Sequence, residues 1–113
     1  MTKEEMVRHF NIPPEILDEY HAMGLCDEVK KVMGTWQYDD TDIERLGLIM
    51  TLHDIGFSNE EVERYMQLEA QGGKTRVQRR EMLDERRSES LDEIHFREKQ
   101  LDRIDYLRHK MKK

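Results

Sequence analysis

The sequence predicts a mainly α fold: a head of short helices broken by one β-hairpin, followed by a single long helix. Three observations carry this. Capping pairs and glycines punctuate the first 72 residues at short intervals, whereas Lys74 to Met111 contains neither Pro nor Gly. Hydrophobic residues make up 36% of the 113-residue chain and charged residues 39%, a balance suited to half-solvated helices rather than a large core. The break falls at Gln71-Gly72-Gly73 and divides the chain into a head, 1–72, and a long helix, 73–113.

Thr2 and Glu5 have the spacing of a capping box and open a first helix through about Phe10. Met6, Val7 and Phe10 form its apolar stripe. Asn11 and Ile12 make a turn, and Pro14 begins a second helix, because the first helical turn does not need the N–H that proline lacks. On this helix Ile16, Leu17, Tyr20 and Met23 share one side, and Glu15, Asp18 and Glu19 lie on the other at helical spacing. Gly24 ends it in a left-handed conformation. The β-branched and aromatic residues around Met33-Gly34 predict a hairpin with arms Val29 to Val32 and Thr35 to Tyr38.

A third helix starts at a cap on Asp39 (paired with Asp42) or Thr41 (paired with Glu44). It offers Ile43, Leu46, Ile49, Met50, Leu52 and Ile55 to the core, and Gly56 stops it. Ser58 before Glu61 is the clearest capping box; it opens a fourth helix through roughly Leu68, with Phe57 placed to staple against Val62. From Lys74 onward, Leu83, Leu91, Ile94, Leu101, Ile104 and Met111 make a thin apolar seam with two heptad steps, Ile94 to Leu101 and Ile104 to Met111. Arg87 and Ser90 interrupt it. So exposed a helix calls for a partner, most economically a second copy of the chain.

Charge is distributed unevenly. The net −6 combines 6 Lys and Arg against 16 Asp and Glu in residues 1–72 with 13 against 9 in residues 73–113. The head as a whole has no positive footprint for nucleic acid. One cysteine excludes an internal disulfide framework, and no apolar run approaches spanning length. "MTKEEMVRHF" is not a signal peptide, so the sequence places the protein in the cytoplasm and off the membrane. No nucleophile–base arrangement, phosphate loop or carboxylate pair stands out, and the protein is read as a non-enzyme without cofactor. The five histidines show no His-x-x-x-His spacing, so no metal site is read. Cys26 reads as a small buried hydrophobe, the eight methionines as packing filler, and Trp36 as a cover for the hairpin's own core or a stacking group.

The order of helix-turn-helix, hairpin wing, helix pair and long helix resembles the MerR (mercury-resistance regulator) family of bacterial transcription regulators. The most similar stretch is "YDDTDIERLGLIMTLHDIGFSNEEVERYM", Tyr38 to Met66, with the "GFS-x-EE" junction at Gly56 to Glu61. "PPEILDEYHAMGL" keeps the frame of the family's recognition helix at Pro14, Leu17, Tyr20, Gly24 and Leu25, and "LDRIDYLRHKM" is similar to the end of the dimer helix. The resemblance implies a winged helix-turn-helix head and a long C-terminal dimerisation helix forming an antiparallel coiled coil. It implies a homodimer that regulates promoters; because the sequence ends at the dimer helix, no separate effector domain is expected. The contacts depart from the frame: the family's usual Arg, Arg and Tyr are here Glu15, Asp18 and Glu19, and Trp36 replaces the wing's common Arg. No cysteines sit near the end of the dimer helix, where the family's metal sensors carry them.

Candidate DNA contacts are therefore Arg8 and His9 on the first helix, Tyr20 on the second, and Lys30, Lys31 and Trp36 on the wing. The first reading is a DNA-binding regulator with its contacts moved to these residues. The alternative is a protein that has lost DNA binding and offers the acidic face of Glu15, Asp18 and Glu19 to a basic protein partner. By residue type alone such acids are a solvated helix face.

Overall fold

The computed structural model describes residues 1–26 and 31–112. The expected fold class is observed: a winged helix-turn-helix head and a long C-terminal helix. Helix α1 (Lys3–Phe10) is capped by Thr2, whose hydroxyl accepts the Glu5 N–H at 3.3 Å. The return half of the box is not formed, because the Glu5 carboxylate takes the Thr2 hydroxyl proton instead, at 3.2 Å. Asn11 leaves α1 at φ 53°, a left-handed position that asparagine tolerates better than most residues. Helix α2 (Pro14–Ala22) follows with proline in its first turn, and Gly24 at φ 73° ends it.

The wing is a minimal hairpin, β1 (Lys31–Val32) paired antiparallel with β2 (Thr35–Trp36). Met33 and Gly34 both take positive φ, 52° and 79°, as a two-residue hairpin turn requires. The second arm is shorter than expected. Val29 and Lys30 lie outside the described residues, and on the other side Tyr38 leaves the sheet to bury its ring and pair its backbone with Met1.

Helix α3 (Asp40–Asp54) uses the Asp39 and Asp42 box, both halves at 3.0 Å, in preference to Thr41 and Glu44. Helix α4 (Asn59–Ala70) uses the Ser58 and Glu61 box. The core of the head joins Met6 of α1, Leu17 and Tyr20 of α2, Leu46, Ile49 and Leu52 of α3, and Val62 and Met66 of α4, with Phe57 buried ahead of the α4 cap. Phe10 and Ile55, expected on apolar faces, are exposed: both stand at helix ends, where the buried stripe has run out.

A single 3₁₀ turn, Gly73–Thr75, precedes α5 (Arg76–Lys110), which is therefore about 52 Å long at 1.5 Å per residue. The chain forms two compact units, Met1–Arg79 and Arg80–Lys113. The first unit reaches past the glycines because Arg79 donates back to Thr75 Oγ1 at 3.2 Å and to the Gly72 carbonyl at 3.3 Å. No α5 residue is buried within one chain. Among the described residues no helix is long and apolar enough to cross a membrane.

Candidate nucleic-acid interface

Three elements of the head carry the candidate residues. On α1, Arg8 and His9 are exposed in the last turn. Lys3, Glu4 and Val7 share a shallow surface groove with Arg8, so an acid lies beside this cation.

On α2 the acidic face is only partly free. Glu15 and Asp18 are exposed, and Asp18 meets Lys3 at 3.5 Å with its side chain 73% exposed. So open a pair contributes little to stability. Glu19 is different. Its carboxylate accepts from His53 Nε2 of α3, at 2.9 Å and 3.0 Å to its two oxygens, and the two side chains are only 25% and 26% exposed. The outward position expected for Glu19 is thus corrected: helical spacing puts it at the edge of the buried stripe, where it ties α2 to α3. Glu15, Asp18 and Glu19 join Glu63 and Asn59 of α4 around a groove of about 440 Å³. Among the described residues no basic side chain lines it.

Tyr20 is also corrected. It is fully buried, and its hydroxyl donates to Asp42 Oδ1 at 2.5 Å. Burial, and then this bond to a carboxylate, push its pKa far above the ordinary phenol value. The ring belongs to the core and cannot reach DNA in this fold. Asp42 is itself fully buried and also caps α3, so Tyr20 links the second helix to the start of the third. Tyr20→Phe should therefore cost about 1–3 kcal/mol, by leaving a buried acceptor short of a donor. Urea unfolding should show a lower midpoint with unchanged slope, while any DNA affinity stays the same.

On the wing, Lys31 and Trp36 are cross-strand partners, and the ammonium lies 5.8 Å from the indole centroid. Lys31 is exposed and Trp36 half-buried. Lys30 lies outside the described residues. What Trp36 packs against is a residue that sequence reasoning passed over. His21 of α2 lies 4.5 Å from it between ring centroids, and His21 Nε2 also shares a hydrogen bond with the Tyr38 hydroxyl. Burial, then the charge of Lys3, lower the His21 pKa below its ordinary 6.5. Burial, followed by Cys26 and Asp42, pushes Tyr38 up to about 12, so its hydroxyl stays neutral. The structure thus gathers Lys31, Trp36, His21 and Tyr38, and leaves Arg8 and His9 on a separate stretch of α1.

A family model described as MerR HTH family regulatory protein matches residues 1–69, more than half of the chain and every element of the head. The chain belongs to the MerR family. No curated protein and no solved structure matches it. Membership makes it a MerR-type helix-turn-helix regulator of the DNA-binding class, and it defines what is unusual. The helix that a MerR protein would be expected to lay along DNA carries two exposed carboxylates, while its wing carries an exposed lysine braced on an indole. Among the described residues no group of three His, Cys, Asp or Glu is placed to hold a metal.

Proposed function

We propose that this MerR-family chain is a homodimeric, cytoplasmic transcription regulator that grips promoter DNA through its wing, with Arg8 and His9 of α1 in support. The observation that carries the reading is the contrast between wing and helix. The exposed Lys31 ammonium stands on Trp36, whereas α2 presents Glu15 and Asp18. Phosphate contacts by cations supply most of the affinity for DNA, so contacts follow the cations. Lys30→Ala with Lys31→Ala should weaken binding to all sequences alike. It should also flatten the salt dependence by about one unit per lost phosphate contact. An unchanged salt slope would place the contacts elsewhere.

The partner copy is drawn from α5. Its exposed seam follows alternating three- and four-residue steps through Ile94, Arg97, Leu101, Ile104, Arg108 and Met111, preceded by Arg87 and Ser90. In a parallel pair each arginine would face its own copy, and like charges face to face cost several kcal/mol. An antiparallel pair centred at the level of Lys99 avoids this. Ile94 then faces the partner's Ile104, Arg97 the partner's Leu101, and Arg108 the partner's Ser90. The charge pattern of the seam therefore favours the antiparallel arrangement.

A second reading keeps the dimer and gives up DNA: the acidic groove between α2 and α4 receives a basic protein. Glu15, Asp18 and Glu63 around one groove favour it. The readings part on direct binding. Under the second, purified dimer shows no DNA affinity even at low salt.

A further inference from the structure

Among the described residues the wing consists of two strands of two residues each. Such a hairpin is not stable alone in water, so something outside it must set its position. Its turn offers nothing, since Met33 is 99% exposed, and Val32 is exposed as well. The chain leaving β2 is tied to Met1 at Tyr38, and among the described residues the strands themselves meet α2 through Trp36 on His21. His21 is held in turn by the α2 backbone and by the Tyr38 hydroxyl, on the chain that leaves β2 for α3. A line of contacts therefore runs from the recognition helix through imidazole and indole to the Lys31 ammonium.

We propose that His21 is a positioning residue that joins the wing to the recognition helix, fixing Trp36 and, through it, the placement of the Lys31 cation. An aromatic pair of this kind holds geometry as well as area, because ring quadrupoles favour tilted over face-to-face contact. The observed interplanar angle is 54°. The consequence for DNA rests on the wing-contact reading above; the joint itself does not.

The joint works with a neutral imidazole. Among the described residues the groups acting on His21 are Lys3 of α1, Asp18 of α2, Asp42 of α3 and the Tyr38 hydroxyl. Burial and Lys3 disfavour the imidazolium, and they outweigh the two carboxylates. The folded chain therefore takes up this proton at lower pH than the unfolded chain. Stability from the joint is complete above the ordinary value of 6.5 and is lost as pH falls below it. Acid should loosen the wing.

Trp36 is the single tryptophan of the chain, so its emission reports on the joint alone. A protonated imidazole packed against an indole quenches its emission. The natural dimer should accordingly show a fall in Trp36 emission from about pH 8 to about pH 5, with a midpoint below the free imidazole range. His21→Ala should abolish that titration and shift the emission to the red. His21→Phe should abolish it too, but keep the emission of a packed indole. At about pH 8, His21→Ala should lose DNA affinity by about tenfold, the scale of one or two missing phosphate contacts, and His21→Phe should recover most of it. An emission titration unaltered in His21→Ala overturns the joint. A changed emission with unchanged DNA affinity overturns its positioning role. If the natural dimer binds no DNA, the wing-contact reading fails, and Trp36 emission in the two variants still decides the joint.

Discussion

Replacing Leu101 and Ile104 by aspartate should turn the dimer into a monomer at micromolar concentration. Both side chains are more than half exposed in the single chain, 58% and 51%, so neither substitution disturbs the fold of one copy directly. In the proposed antiparallel pair, Leu101 would face the partner's Arg97 and Ile104 the partner's Ile94. Four carboxylates per dimer would then enter the seam: the two at position 101 would meet the partner's Arg97, and the two at position 104, set against isoleucine, carry the cost. Burying a charge without a matched partner costs several kcal/mol, which implies a dissociation constant weaker by at least about a thousandfold. Light scattering checks this. A natural chain that scatters as a monomer would remove the premise. Helix content should fall as well, since a half-solvated helix without tertiary support is marginal.

Restoring positive charge to α2 should raise DNA affinity, and the structure dictates how to do it. Glu19 must stay, because changing it would break the His53 tie between α2 and α3. Glu15→Arg with Asp18→Arg is the better variant. Each position goes from −1 to +1, a change of four charges per subunit, and Asp18 gives up its exposed ion pair with Lys3. Non-specific affinity, read by fluorescence anisotropy at fixed salt, should rise by at least about tenfold. A rise from an undetectable start would favour the protein-partner reading for the natural chain. A fall from tight, site-specific binding would mean that the carboxylates read bases, accepting from the cytosine amino group.

Local signals made most of the fold legible. Asp39 with Asp42 and Ser58 with Glu61 cap helices where their spacing says they should, and Met33-Gly34 makes the turn that a two-residue hairpin loop demands. These are contacts within a few residues, governed by rules that need no knowledge of the rest of the chain. The interface was less legible because its joints are distant in sequence. Glu19 meets His53 across 34 positions and His21 meets Tyr38 across 17, and no spacing rule connects such pairs. Tyr20 shows a different failure. Helical periodicity places it beside Leu17 on the apolar side, while the family resemblance sets its helix against DNA and makes it a candidate contact. The periodicity was the better guide, because a ring bonded to buried Asp42 cannot also face solvent. Trp36 could be read either as wing core or as a stacking group; it packs on His21, and its ring also supports Lys31.

We propose that this acidic MerR-family chain, as a homodimer, still reads DNA through its wing. Selection of genomic fragments by the purified dimer, at low and at moderate salt, tests it most directly. The expected result is enrichment of inverted repeats at both salt concentrations, the half-sites mirroring the twofold symmetry of the protein. A featureless pool at both, with no fragment retained above background, would contradict it.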